Sequence, residues 1–160
     1  MAIQVGDKLP SVTLVEATAD GPKPTKSDDF FKGRRIALFA VPGAFTPTCS
    51  AKHLPGFKQL AHDIKGKGVD VIACVSVNDG FVMRAWAEDQ AVGEDIVMLA
   101  DGSGDFTRAI GLELDASGNG MGKRSRRYSM VVEDGVVTQL NLDDPGEFKV
   151  SAADYLLARL

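Results

Sequence analysis

The chain has 160 residues, 44% of them hydrophobic, with a formal net charge of -4 and only 2 cysteines. This length and apolar content suit one globular domain over residues 1–160 with a core of its own, and the acidic balance removes any general attraction to nucleic acid or to an anionic membrane surface. Two cysteines are too few to staple a scaffold; no apolar run can cross a bilayer and Met1 to Asp7 lacks the marks of a secretory signal, so the expected setting is a reducing, cytoplasmic one, with a transit peptide removed ahead of Met1 left open.

Val12 to Glu16 reads as a strand, and the polar stretch from Ala17 to Asp29 as an exposed loop. Ser27 is placed to cap one helical turn ending at Gly33. Arg35 to Val41 is a nearly continuous apolar run, as expected of a central strand buried on both faces. Next comes Val-Pro-Gly-Ala-Phe-Thr-Pro-Thr-Cys-Ser, Val41 to Ser50. Thr46 suits an N-cap and Pro47 the first helical position, where its missing N–H has no intrahelical partner, which makes Cys49 the third helical residue. The Thr-x-x-Cys spacing has the form of a capping box with sulfur in the place of Glu. Backbone N–H groups and the positive end of the helix dipole favour a thiolate there, hence a nucleophile. The competing reading is a packed thiol that follows a capped turn.

Leu54, Phe57, Ala61 and Ile64 recur at spacings of three and four, so this helix turns one face inward. Pro55 lacks an N–H and its ring clashes with the carbonyl of Ala51, so the turn carrying Cys49 is expected to be loosely joined and able to unwind. His53 and His62 have no second ligand at metal-binding spacing and read as ordinary polar or hydrogen-bonded residues; no metal is expected. Gly66 to Gly68 ends the helix, and Val69 to Val77 forms a second strand with Cys74 inside it. Asn78 is expected to cap the next helix, with Val82, Ala85 and Trp86 inward and Phe81 exposed. Ile96 to Ala100 is a third short strand. The Asp-x-Ser-x-Asp that starts at Asp101 resembles the opening of a calcium loop, but Phe106 and Leu112 occupy the places of its Gly and Glu, so a turn is expected, followed by a short helix from Asp105 to Ile110.

Asp115 to Gly122 reads as a mobile glycine-rich loop without the Gly-Lys-Ser/Thr ending of a phosphate-binding loop. Lys123, Arg124, Arg126 and Arg127 lead into a hairpin, Tyr128 to Glu133 and Val136 to Leu142, turned by Asp134-Gly135. Lys123 and Arg124 read as a solvated strand end, while Arg126 and Arg127, as strand neighbours, point to opposite faces. Ser151 to Asp154 has the form of a capping box opening a last helix, with Ala153, Leu156, Leu157 and Leu160 inward. The order predicts an α/β, thioredoxin-like fold: a central mixed β-sheet flanked by helices, with Gly93 to Ser125 inserted between its halves.

The Pro42-x-x-x-Thr46-x-x-Cys49 pattern, in its longer wording from Val41 to Ser50, resembles the active-site signature of the peroxiredoxins, and of their type II (Prx5-like) subgroup in particular. Lys52 to Phe57, Ser76 to Asp79 and Arg126 to Met130 match the same subgroup in the same order, so the resemblance covers nearly the whole chain. It implies that Cys49 attacks a peroxide, that the Thr46 hydroxyl and the Arg127 guanidinium hold the peroxide, and that Pro42 shields the site. Arg127 is preferred to Arg126 because the family's arginine directly precedes the aromatic residue of that strand. The implied substrates are hydrogen peroxide and alkyl hydroperoxides, reduced through a sulfenic acid on Cys49 without a metal or organic cofactor.

Resemblance also implies glutaredoxin with glutathione, or thioredoxin, as the reductant, and a homodimer formed through loops that include Phe45 and the stretch from Asn78 to Trp86. Trp86 reads equally well as core. Some relatives carry a resolving cysteine near the C-terminus, but Asn141 to Leu160 has none, which leaves Cys74. Its mid-strand place reads first as a core thiol, with a bond to Cys49 as a minor route. A dithiol reductase is disfavoured because Ser50, Ala51 and Lys52 follow Cys49 without a second cysteine. A non-enzymatic redox sensor or binding module on the same fold is the alternative, and peroxide consumption separates it from a peroxidase.

Overall fold

The apolar runs read as buried strands become Arg35–Ala40 (β3), Val71–Ser76 (β4) and Val97–Ala100 (β5), which lie parallel in the computed structural model; it describes residues 2–160. Around them are Thr13–Thr18 (β1), Gly21–Lys26 (β2), Tyr128–Glu133 (β8) and Val136–Leu142 (β9), in a seven-stranded sheet of order β2-β1-β5-β4-β3-β8-β9. The outer pairings are antiparallel, so the sheet is mixed, as the thioredoxin-like reading requires. Asp134 (φ 49) and Gly135 (φ 81) both take positive φ, the condition for the tight turn that matches strand twist between β8 and β9.

Alternation along the central strands sends their side chains into two cores. Ala37, Phe39, Ile72 and Cys74 face Leu54, Phe57, Ile64, Met83, Trp86 and Leu156. Those residues come from Leu54–Gln59 (α2), Ala61–Gly66 (α3), Gly80–Asp89 (α4) and, for Leu156, Ala153–Leu157 (α6). On the other face, Ile36, Leu38, Ala73 and Val75 meet Phe30 and Phe31 of Ser27–Phe31 (α1) and Phe106 of Asp105–Ala109 (α5). Helices therefore cover both faces.

Several local expectations give way to tertiary context. The stretch expected as a loop forms β2, an edge strand that tolerates Pro22 and Pro24 because no outer partner needs their missing N–H groups. Ser27 caps nothing: its hydroxyl donates to Pro10 O at 2.6 Å and accepts the Val12 N–H at 2.9 Å, tying down the N-terminal segment. Asp79, not Asn78, caps α4 through a bond from Val82 N, which moves the buried face to Met83, Trp86 and Ala87 and leaves Ala85 exposed. Phe81 is exposed, as read.

The insertion begins later than Gly93, because β5 lies between β1 and β4 in the central sheet. The glycine-rich loop is framed by Glu113–Asp115 (β6) and Lys123–Ser125 (β7), a separate antiparallel pair. Ser151 donates its hydroxyl to Asp143 instead of capping α6, which starts at Ala153. No helix among the described residues is long and apolar enough to cross a membrane.

Candidate active site

β3 and β4 run parallel, so their C-terminal ends open on the same edge, and the chain leaving β3 forms the site loop there. Ala44 N–H donates to Asn78 Oδ1 at 3.0 Å, and the same oxygen takes the Ser76 hydroxyl at 2.6 Å; the end of β4 thereby fixes the loop. Phe45 adopts φ 65, and the helix begins at Pro47, with Ser50 N–H donating to Thr46 O at 3.0 Å. Cys49 is thus the third helical residue. The Thr46 hydroxyl, however, does not cap the helix. It donates to Gly43 O at 2.7 Å, which occupies its proton and leaves the oxygen's acceptor side unused. A Cβ on Gly43 would stand 3.0 Å from an Arg124 guanidinium nitrogen and 3.1 Å from the Thr46 methyl, so any larger residue there would push these neighbours back by a few tenths of an ångström. Arg124, read as solvated, is drawn inward, with Nε donating to Met121 O.

Cys49–His53 forms a π-helical turn in which Leu54 N–H reaches back to Cys49 O. The wider turn accommodates Pro55, whose ring and missing donor do not fit the ordinary helical ladder; such turns recur at functional sites. The turn is closely packed in this structure. Cys49, His53 and Leu54 are fully buried, and Trp86 donates its indole N–H to Ser50 Oγ at 3.1 Å. Trp86 is therefore a core residue and cannot anchor an interface.

Arg127, leading into β8, reaches this turn from the far end of the chain. Its Nη2 donates to Cys49 Sγ at 3.1 Å, and its Nη1 to His53 Nδ1 at 2.9 Å. Arg126 makes no bond to the sulfur; its Nη2 donates to Asp143 O at 3.1 Å. His53 sits among Phe39, Phe57 and Phe148, and its Nε2 donates to Ser151 O at 3.0 Å. Burial first, and then the Arg127 charge, lower the His53 pKa to about 3, against the opposing pull of Ser151 O and Asp143, so the imidazole is neutral. Asp143 gathers the backbone N–H groups of Lys149, Val150 and Ser151 and the Ser151 hydroxyl. Burial pushes the Asp143 carboxyl up, but those four donors outweigh it and hold it below the usual carboxylate range.

Pro42, Thr48, Arg126 and Arg127 line a cleft of about 120 Å³ with Pro145 and Phe148. Cys49 lies beneath the surface and does not line it; the Arg127 side chain spans from cleft to sulfur. Cys74 lies opposite Phe39 in the sheet, fully buried in the same apolar cluster as Cys49. Burial, and then Cys49, push its thiol pKa well up, so Cys74 stays protonated. Neither cysteine is in a disulfide. Among the described residues no group of three or more His, Cys, Asp or Glu could hold a metal ion.

The structure thus brings together Cys49, Arg127 and, at the cleft, Pro42, with Thr46 turned to its own loop. His53 is hydrogen-bonded, as read, but its place four residues after Cys49 also puts it on the same helical face and against Arg127; Asn78, read as a cap, and Asp143 instead support the site.

Residues 4–157 match the family described as Redoxin. The chain is 53% identical over 163 residues to "Peroxiredoxin-2E-2, chloroplastic" of Oryza sativa subsp. japonica, covering 99% of this chain and 72% of that protein. It is 46% identical over 159 residues to Peroxiredoxin-2B of Arabidopsis thaliana, covering 99% and 98%. It superposes with a TM-score of 0.94 on reduced Prx3 in complex with H2O2 from Vibrio vulnificus, at 52% identity and 98% coverage of each chain.

Proposed function

Since the chain belongs to the peroxiredoxin family and is a thiol-dependent peroxidase, we propose that Cys49 is the sulfur that meets the peroxide. The Cys49 thiolate attacks one oxygen of ROOH; an S–O bond forms, the O–O bond breaks, and the leaving RO− takes a proton and departs as water or alcohol. Sulfur is oxidised to sulfenic acid and the peroxide reduced by the same two electrons. A thiolate alone does this slowly, so charge developing on the leaving oxygen must be stabilised. The observation that carries the reading is the Arg127 guanidinium, within 3.1 Å of Sγ and belonging to a residue that also lines the cleft. Its always-charged fork suits that duty. With its own proton held by Gly43 O, the Thr46 hydroxyl oxygen serves as acceptor for the peroxide O–H. Pro42 covers one side of the entrance.

Changing Cys49 to Ser should abolish peroxide turnover, and Arg127→Ala should slow sulfur oxidation by about 10²-fold, as for other lost charge-stabilising donors, in stopped-flow experiments. Full peroxidase activity in Cys49→Ser protein would sink the mechanism, and make a sensor or binding module the better reading of this thiol.

For turnover an external thiol must reduce the sulfenic acid: one thiol condenses to a mixed disulfide with loss of water, and a second thiol releases Cys49. Glutaredoxin with glutathione, or thioredoxin, fits this need, because a buried, protonated Cys74 is a poor internal partner. A reducing compartment is required; the cytoplasm supplies one. A homodimer is supported by Phe45 and Phe81, 52% and 74% exposed, on two segments joined by the Ala44–Asn78 bond. A monomeric mass at micromolar concentration in light scattering would count against it.

A further inference from the structure

We propose that His53 is a positioning residue for Arg127, fixed in one tautomer by the segment that Asp143 gathers, so that this C-terminal segment governs how well the guanidinium serves Cys49. Nε2 faces the Ser151 carbonyl at 3.0 Å, and a carbonyl only accepts, so Nε2 carries the proton. Nδ1 then presents a lone pair to Arg127 Nη1 at 2.9 Å, which only donates. A protonated ring would set two donors against each other, and the lowered His53 pKa agrees with the neutral form. Both arms of the fork are thereby held, one on nitrogen and one on sulfur, which fixes the plane of the guanidinium.

Phe39, Phe57 and Phe148 surround the imidazole and leave little room for water to replace it as an acceptor. The chain of contacts continues outward. Ser151 can direct its carbonyl at His53 because Asp143 holds its N–H at 3.1 Å and its hydroxyl at 2.5 Å, together with the N–H groups of Lys149 and Val150. Asp143 itself follows β9 and donates its N–H to Arg127 O at 3.1 Å, so one residue secures both the arginine's backbone and the support for its side chain.

The inference rests on Arg127 assisting Cys49 as proposed above. Its test is stopped-flow oxidation of Cys49 by hydrogen peroxide in three His53 variants, in Asp143→Asn and in the double variant. His53→Leu keeps the volume and removes both bonds; about a tenfold or greater slowing is expected, on the scale of a misplaced catalytic group. His53→Asn puts an amide oxygen where Nδ1 stood and should recover most of the rate. His53→Gln reaches toward Ser151 but offers Arg127 nothing at that place, so it should stay slow. Asp143→Asn should slow the wild-type protein several-fold and have no further effect in the His53→Leu background, because both act through one guanidinium.

A wild-type rate in His53→Leu, equal losses in the Asn and Gln variants, or full additivity of the double variant would each overturn the proposal. If the Leu variant does not fold, the Asn and Gln comparison decides. Arg127→Ala separates the two levels: a normal rate there defeats the role of Arg127 itself, whereas a slow Arg127→Ala beside a normal His53→Leu defeats only the role of His53.

Discussion

Lowering the pH from 7 to 5 tests the neutrality of the buried imidazole. Burial and the Arg127 charge bring the His53 pKa from 6.5 to about 3, so the unfolded chain gains a proton as pH falls through 6.5 while the folded chain refuses it until about 3. In that window the unfolded state binds more protons, and stability rises with pH; the contribution is complete above 6.5 and is lost progressively toward 3. Each pH unit well inside the window is worth about 1.4 kcal/mol, and titrating a free histidine from pH 7 to 5 amounts to about 1.4 effective units, or roughly 2 kcal/mol. The His53→Leu protein lacks this loss but keeps the carboxylates. In urea unfolding at fixed protein concentration, the stability advantage of wild type over the variant should therefore shrink by about 2 kcal/mol between pH 7 and pH 5. An advantage that is unchanged, or that grows on acidification, would refute a neutral His53 and the donor–acceptor order built on it.

The remaining predictions concern the cysteines, the tryptophan and the exposed aromatics. Oxidation by one equivalent of peroxide should leave little Cys49–Cys74 disulfide in mass spectrometric mapping, and Cys74→Ser should keep its glutaredoxin-coupled turnover; near-complete bonding with lost turnover would make Cys74 a true resolving residue. The single tryptophan, Trp86, donates to Ser50, the neighbour of Cys49, so peroxide should change its emission in wild type and not in Cys49→Ser. Phe81→Asp should shift any dimer toward monomer in light scattering without unfolding the chain, since the side chain is 74% exposed.

What the sequence determined by itself was local and periodic. The apolar runs from Arg35, Val69 and Ile96 contain the three parallel strands, because a strand buried on both faces needs a continuous apolar stretch. Thr46-Pro47 placed Cys49 in the first turn of a helix, because a missing N–H costs nothing there. Asp134-Gly135 turned the hairpin, because both residues tolerate positive φ. Even so, propensity misjudged how polar groups would be used. Asn78, Ser151 and the Thr46 hydroxyl each had the chemistry of a cap, and tertiary structure gave them stronger claims: a loop N–H, a carboxylate and a loop carbonyl.

Which arginine meets the sulfur was undecidable from alternation alone, since period two says only that Arg126 and Arg127 part company. The decision rests on bonds between residues 78 and 74 positions apart, from Arg127 to Cys49 and to His53, and on the contact 98 positions apart between His53 and Ser151. No window of sequence holds both ends of such a bond. Only after β3 and β8 pair, and the helices pack on Phe39, does the guanidinium of Arg127 meet the buried imidazole and thiol, where unpaired donors are costly enough to dictate each group's orientation.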